Sequence, residues 1–178
     1  VSDTFDNAAT YWYEKESNTY AKLGDVDKAT SYVRGGYLKR IDYGQRLDAL
    51  FSGQAGQRVL FTVAERCLAS VSHCLELTTT SQSYWPDVPF SSLWEPNTQA
   101  MRGLMVSPSF FTRKLLTAVS TQVWNTGTKD YRAVDSWEFT HEFLDPGDTT
   151  DVSDQSLWLT GIRQTTSADG TPVLPGVK

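Results

Sequence analysis

Cysteine, histidine and methionine are scarce in this chain, at two residues each among 178. His73 stands beside Cys74 and His141 stands alone, so no set of side chains has zinc-ligand spacing. Two histidines also leave few options for general-base chemistry. Basic charge is in deficit: 16 Lys and Arg against 21 Asp and Glu give a net charge of −5. That balance argues against a nucleic-acid backbone or an anionic membrane as main partner, since either favours a dense basic patch. No apolar run approaches the roughly 20 residues that a membrane-spanning helix requires. Helical periodicity is nearly missing; only "DYGQRLDALFSG" suggests a turn or two.

Catalytic signatures are missing as well. Ser107-Pro108-Ser109 lacks the Gly-x-Ser-x-Gly elbow of a serine nucleophile. "VRGG" leads into a strand rather than a helix, so it is no phosphate-binding loop. Carboxylate pairs such as Glu138 and Glu142 are always findable among 21 acids, and nothing singles these two out for glycoside hydrolysis. No residue is assigned as catalytic and no cofactor is expected; an enzyme is the minority reading.

Aromatic residues are plentiful, with six Trp, eight Tyr and eight Phe. Together with abundant Thr and Ser they favour pleated, half-buried surfaces, so the composition leans towards β structure. Sugar rings stack on exposed aromatics, which makes a glycan-binding face one reading. Core and cross-strand partnership is the more ordinary role of Trp and Tyr in an all-β domain.

Alternation locates the strands. Tyr11-Trp12-Tyr13 puts the two tyrosines on one face and Trp12 on the other, as in a strand covered on both sides. In "SYVRGGYLKRIDYGQR", residues 31–46, Tyr37, Lys39 and Ile41 share one face, and Leu38, Arg40 and Asp42 the other. "GQRVLFTVAERC" supplies its hairpin partner across a loop holding Gly53 and Gly56. "PSFFTRKLLTAVSTQVWN" and "YRAVDSWEFTHEF" form a second hairpin about "TGTKD", with Trp137 and Phe139 on one face. "SLWLTGI" begins a final strand, followed by a turn at Ala168-Asp169-Gly170. Between the hairpins, "SQSYWPDVPFSSLWEP" carries three prolines, which cannot donate to a sheet ladder. It reads as a long excursion packed down by Trp85, Phe90 and Trp94. The expected architecture is one all-β domain over residues 1–178, mainly antiparallel and built from hairpins, either a sandwich or an open sheet.

One pattern, a bulky residue, Leu, two variable residues and then Ile or Val, occurs three times. It reads Tyr37-Leu38-Lys39-Arg40-Ile41, then Leu115-Leu116-Thr117-Ala118-Val119, then Trp158-Leu159-Thr160-Gly161-Ile162. Such recurrence points to a repeated sheet unit. The series "SYVRGGYLKRIDYGQR", "VLFTVAERC", "WPDVPF", "SPSFFTRKLLTAVSTQVW", "VDSWEFTHEFLDPGD" and "SLWLTGI", in this order, resembles a region of very large secreted actinobacterial proteins of the RHS/YD-repeat class, upstream of their tyrosine-aspartate repeats. The resemblance spans about residues 11–165. It implies a β-rich segment that contributes to or caps a toxin-shell-like container, with the rest of its own polypeptide as partner and an extracellular location. Beginning at Val1 without a signal peptide, the chain is expected to be a piece excised from a larger one.

That family carries a further cysteine pair after "WPDVPF", where this chain reads "SSLWEPNTQAM" with Trp94 in that stretch. Cys67 and Cys74 enclose six residues after a strand, a spacing that suits a loop-closing disulfide but also fits two free thiols. The export implied by the resemblance favours the disulfide. A carbohydrate-binding β-sandwich is the alternative function, with Tyr11, Trp12, Trp85 and Trp94 as the aromatics that would meet a polysaccharide. Asp145, Asp148, Asp151 and Asp154 are a weak candidate calcium set: they miss the EF-hand pattern, and acidic turn residues ordinarily cap the backbone.

Overall fold

The structure, a computed structural model, describes residues 1–25, 29–68, 74–75, 77–90, 93, 107–145, 147, 155–166 and 176–177. Six antiparallel strands lie side by side in chain order: β1 (Asn7–Ala21), β2 (Ala29–Arg46), β3 (Gln57–Glu65), β4 (Lys114–Asn125), β5 (Asp130–Leu144) and β6 (Ser156–Thr166). The fold is thus all-β, and the sheet is open rather than folded into a sandwich. Both expected hairpins form, β2 with β3 and β4 with β5. The suggested helical turn is a short 3₁₀ segment at Leu47–Ala49. The turn at Ala168-Asp169-Gly170 lies outside the described residues.

Two expectations require correction. β1 is an edge strand, not a strand covered on both sides, and Tyr11 and Tyr13 are exposed on it. β2 begins at Ala29, well before Gly35 and Gly36, because those glycines lie inside the strand. An ideal Cβ on Gly36 would stand 2.7 Å from the carbonyl oxygen of Glu14, so β1 approaches β2 too closely there for any side chain.

The three recurring pentads fall on β2, β4 and β6, which run in the same direction. They are staggered by a constant step. Ile41 pairs with Val59 and Val59 with Thr121, and the matching residue of the second copy, Val119, stands two positions before Thr121. Val119 pairs with Trp137 and Trp137 with Gln164, and Ile162 stands two positions before Gln164. A steady stagger of this kind belongs to sheets whose strands tilt and coil.

Burial is unevenly distributed. A compact cluster of Cys74, Trp85, Val88, Phe90 and Leu93 packs with Cys67, Leu77, Tyr84 and Phe111. Cys67 and Cys74 are disulfide-bonded, with Cα atoms 6.0 Å apart, and an Arg66–Asp87 ion pair ties the end of β3 to this excursion. Among the described residues, by contrast, none in β3, β4 or β5 is buried. Pairing places Ile41, Val59, Phe61, Val119, Val123 and Trp137 on one face of the sheet, where none is fully buried and Val123 is exposed.

β2 and β3 pair only from Arg40 to Tyr43 and then diverge. Residues 109–113 fill the fork. The Tyr32 hydroxyl donates to the Ser109 carbonyl oxygen at 2.6 Å and accepts from its amide at 2.8 Å. The Glu16 carboxylate accepts from the Thr112 hydroxyl at 2.7 Å, the Arg113 amide at 3.0 Å and Arg34 Nη2 at 3.1 Å. Both members of this Glu16–Arg34 pair are buried, and the Arg34 guanidinium lies 4.4 Å from the Phe111 ring centroid.

Candidate functional site

The face opposite the apolar one carries a pocket near the β2–β3 loop. Cross-strand pairing sets its floor. Trp12 is opposite Arg40, Asp42 is opposite Arg58, and Arg58 is opposite Gln122. Directly paired residues project to the same side of a sheet, so these side chains share a face. Tyr131 of β5 joins them, and Phe51, Gly53, Gln54 and Ala55 of the loop form the rim. The pocket encloses about 340 Å³, within the size range of small-molecule sites.

Two arginines stacked on aromatic rings dominate its electrostatics. The Arg40 guanidinium lies 4.4 Å from the Trp12 ring centroid, and that of Arg58 lies 3.6 Å from the Tyr131 centroid. Arg40 Nε donates to buried Asp42 at 2.9 Å. Arg58 Nε donates to Gln122 Oε1 at 2.6 Å, and among the described residues Arg58 has no carboxylate partner. Two guanidinium groups therefore face a single carboxylate. Tyr131 donates to the Ala55 carbonyl oxygen at 2.7 Å, with Gln54 Oε1 3.4 Å away. Burial pushes the Tyr131 phenol above its ordinary range, and the nearby Asp42 charge pushes the same way against the two arginines. Trp12 Nε1 is shielded from solvent and has no acceptor among the described residues. Phe51 meets the Trp12 ring edge-on, with centroids 6.1 Å apart, and is itself 79% exposed.

The four aromatics expected to bind sugar do not share one site. Trp12 lines the pocket. Tyr11, the next residue along an alternating strand, points to the other face and is exposed. Trp85 is 1% exposed inside the disulfide-bounded cluster, so its ring is a packing element rather than a stacking platform. Trp94 lies outside the described residues. Of the acidic set, Asp145 accepts the Gly147 amide at 2.7 Å, the turn-capping role of such residues. Asp148, Asp151 and Asp154, like His73, lie outside the described residues. Among the described residues, no three His, Cys, Asp or Glu side chains group as metal ligands, and no helix is long and apolar enough to cross a membrane.

Arg40, Asp42, Arg58 and Tyr131 were not legible as site residues in the sequence. The i, i+2 spacing of Arg40 and Asp42 signals a shared face. Only the strand register brings Arg58 and Tyr131 to it. No family model, no curated protein and no solved structure matches the chain.

Proposed function

We propose that the chain is a structural sheet module of a larger secreted RHS-repeat-like protein, contributing to or capping its β-shell. One observation carries this reading: the central strands β3, β4 and β5, the interior of a self-sufficient β domain, contain no buried residue among those described. A face carrying Phe61, Val119 and Trp137 gains most from a covering layer, since each buried large apolar side chain contributes about 1.5–3 kcal/mol. The resemblance of the motif series to the RHS/YD-repeat class supports the same reading, as does the constant stagger of the recurring pentads. At the outer edge, Val177 already exchanges two backbone hydrogen bonds of 2.9 Å with Ile162 of β6, as further strand would. The partner is the rest of its own polypeptide.

The test compares the chain alone with a longer piece of the parent protein, by urea unfolding and binding of a hydrophobic dye. The expected outcome is strong dye binding and a shallow, low-midpoint transition for the chain alone, both relieved in the longer piece. A dye-silent monomer with a steep, high-midpoint transition would overturn the proposal. A second reading, a carbohydrate-binding module, is favoured by the pocket of Trp12, Phe51 and Tyr131 alone.

A further inference from the structure

The pocket has properties that sheet assembly leaves unused. It is concave and polar, it carries an unmatched guanidinium, and an indole N–H is shut away beside it without an acceptor. Buried donors are ordinarily paired, and this one, shielded from solvent, serves as a reporter of the pocket rather than as a contact for its ligand. Arg40 is neutralised by Asp42, whereas Arg58 spends only Nε on the neutral amide of Gln122. Its outer N–H groups retain the planar fork that grips a carboxylate through two parallel hydrogen bonds. One unmatched positive charge suits a monoanion. A dianionic phosphate would meet the Asp42 carboxylate with twice the repulsion.

The remaining walls describe the body of the ligand. Phe51 offers an exposed ring at the mouth, perpendicular to the Trp12 ring. Asp42 and Gln54 supply oxygen acceptors for hydroxyl groups. An apolar ring face, several hydroxyls and one carboxylate together describe an acidic sugar. We infer that this pocket binds a uronate unit, with Arg58 on its carboxylate, Phe51 against its ring and Asp42 and Gln54 on its hydroxyls. The inference rests on the carbohydrate-binding reading and assigns its ligand class.

The experiment is an NMR titration of the full chain that follows the Trp12 indole N–H, assigned by its loss in Trp12→Phe. The probes are D-glucuronate, D-galacturonate, their neutral parents glucose and galactose, and acetate and inorganic phosphate as bare anions. The expected result is a saturable shift with a uronate, at least about tenfold tighter than with the neutral parent or either anion, as suits a charged pair desolvated in a pocket. Arg58→Gln should weaken uronate binding about tenfold, to the level of the neutral parent sugar. Arg58→Lys, which keeps the charge and loses the fork, serves if the glutamine variant does not fold and should weaken binding several-fold. Equal affinity for glucose and glucuronate would overturn the acidic assignment yet keep the carbohydrate reading. No shift with any sugar would overturn both. Acetate or phosphate binding as tightly as the uronate would overturn the sugar assignment, and full affinity in a folded Arg58 variant would overturn the role of Arg58.

Discussion

Reducing the Cys67–Cys74 bond should loosen the protein by an amount set almost entirely by the length of the loop it closes. The two cysteines are separated by seven positions, and Cys74 is 2% exposed within the cluster built on Trp85. Both sulfurs stay in place on reduction, so packing changes little and the loss is mainly loop-closure entropy. For a loop of about eight residues the chain-entropy model gives about 8 cal/mol/K, or about 2.5 kcal/mol at 25 °C. In the longer piece of the parent protein, where the transition is expected to be steep, a urea dependence of about 2 kcal/mol/M puts the fall in midpoint at about 1 M. The assay is urea unfolding with and without reductant, followed by tryptophan fluorescence. The double variant Cys67→Ala/Cys74→Ala, which also removes the packing of buried Cys74 and partly buried Cys67, should fall at least as far. A reduced midpoint within about 0.3 M of the oxidised one would refute the reasoning, because it would mean that the unreduced loop was not restraining the unfolded chain.

Three further outcomes are expected. Glu16→Gln and Arg34→Met should each cost about 3–5 kcal/mol, since each leaves its buried partner uncompensated, whereas Glu16→Leu/Arg34→Met should recover much of that; additive losses in urea unfolding, read in sucrose to keep the variants folded, would contradict a coupled pair. Glu16 also predicts acid sensitivity. Burial acts to raise its pKa, but hydrogen bonds from Thr112 and the Arg113 amide, with the Arg34 charge, outweigh it and hold the carboxyl below the ordinary glutamate range. Its stabilisation is therefore complete above about pH 4.3, the unfolded value, and is lost as pH falls through the lower folded value; a stability profile flat through that window would refute it. Gly36→Ala should destabilise by more than the about 1 kcal/mol that glycine-to-alanine changes usually move in either direction, because its Cβ meets the Glu14 backbone; a stabilised variant in the same assay would show that β1 can retreat.

Strand positions were legible because alternation is a local property. Val59 to Val63 and Tyr131 to Phe143 each name their two faces without reference to the rest of the chain. The pairing of "YLKRIDYG" with "QRVLFTV" was legible too, since a short glycine-containing loop leaves a hairpin as the natural connection. The site was not. Trp12, Arg40 and Asp42 lie on faces that alternation identifies, but Arg58 and Tyr131 reach them through two pairing registers. Those registers include bulges, as between Thr121 and Gln122, which shift every later residue by one position. Trp85 carried two readings. Its role in packing down the proline-rich excursion is the one the structure shows, with Phe90 beside it, while the sugar-platform alternative fails because the ring is buried in the cluster bounded by the disulfide and the Arg66–Asp87 pair.

By itself, the sequence determined an all-β chain, the order of its hairpins and a thrice-repeated pentad, because composition and period-two patterning act over a few residues. The tertiary structure alone decided that the sheet stays open, that the buried apolar core gathers under the disulfide instead of against the central strands, and that Trp12, Arg40, Asp42, Arg58 and Tyr131 meet around one pocket. Those outcomes depend on register and on which surfaces find a covering layer, and both are set by contacts between residues far apart in the chain.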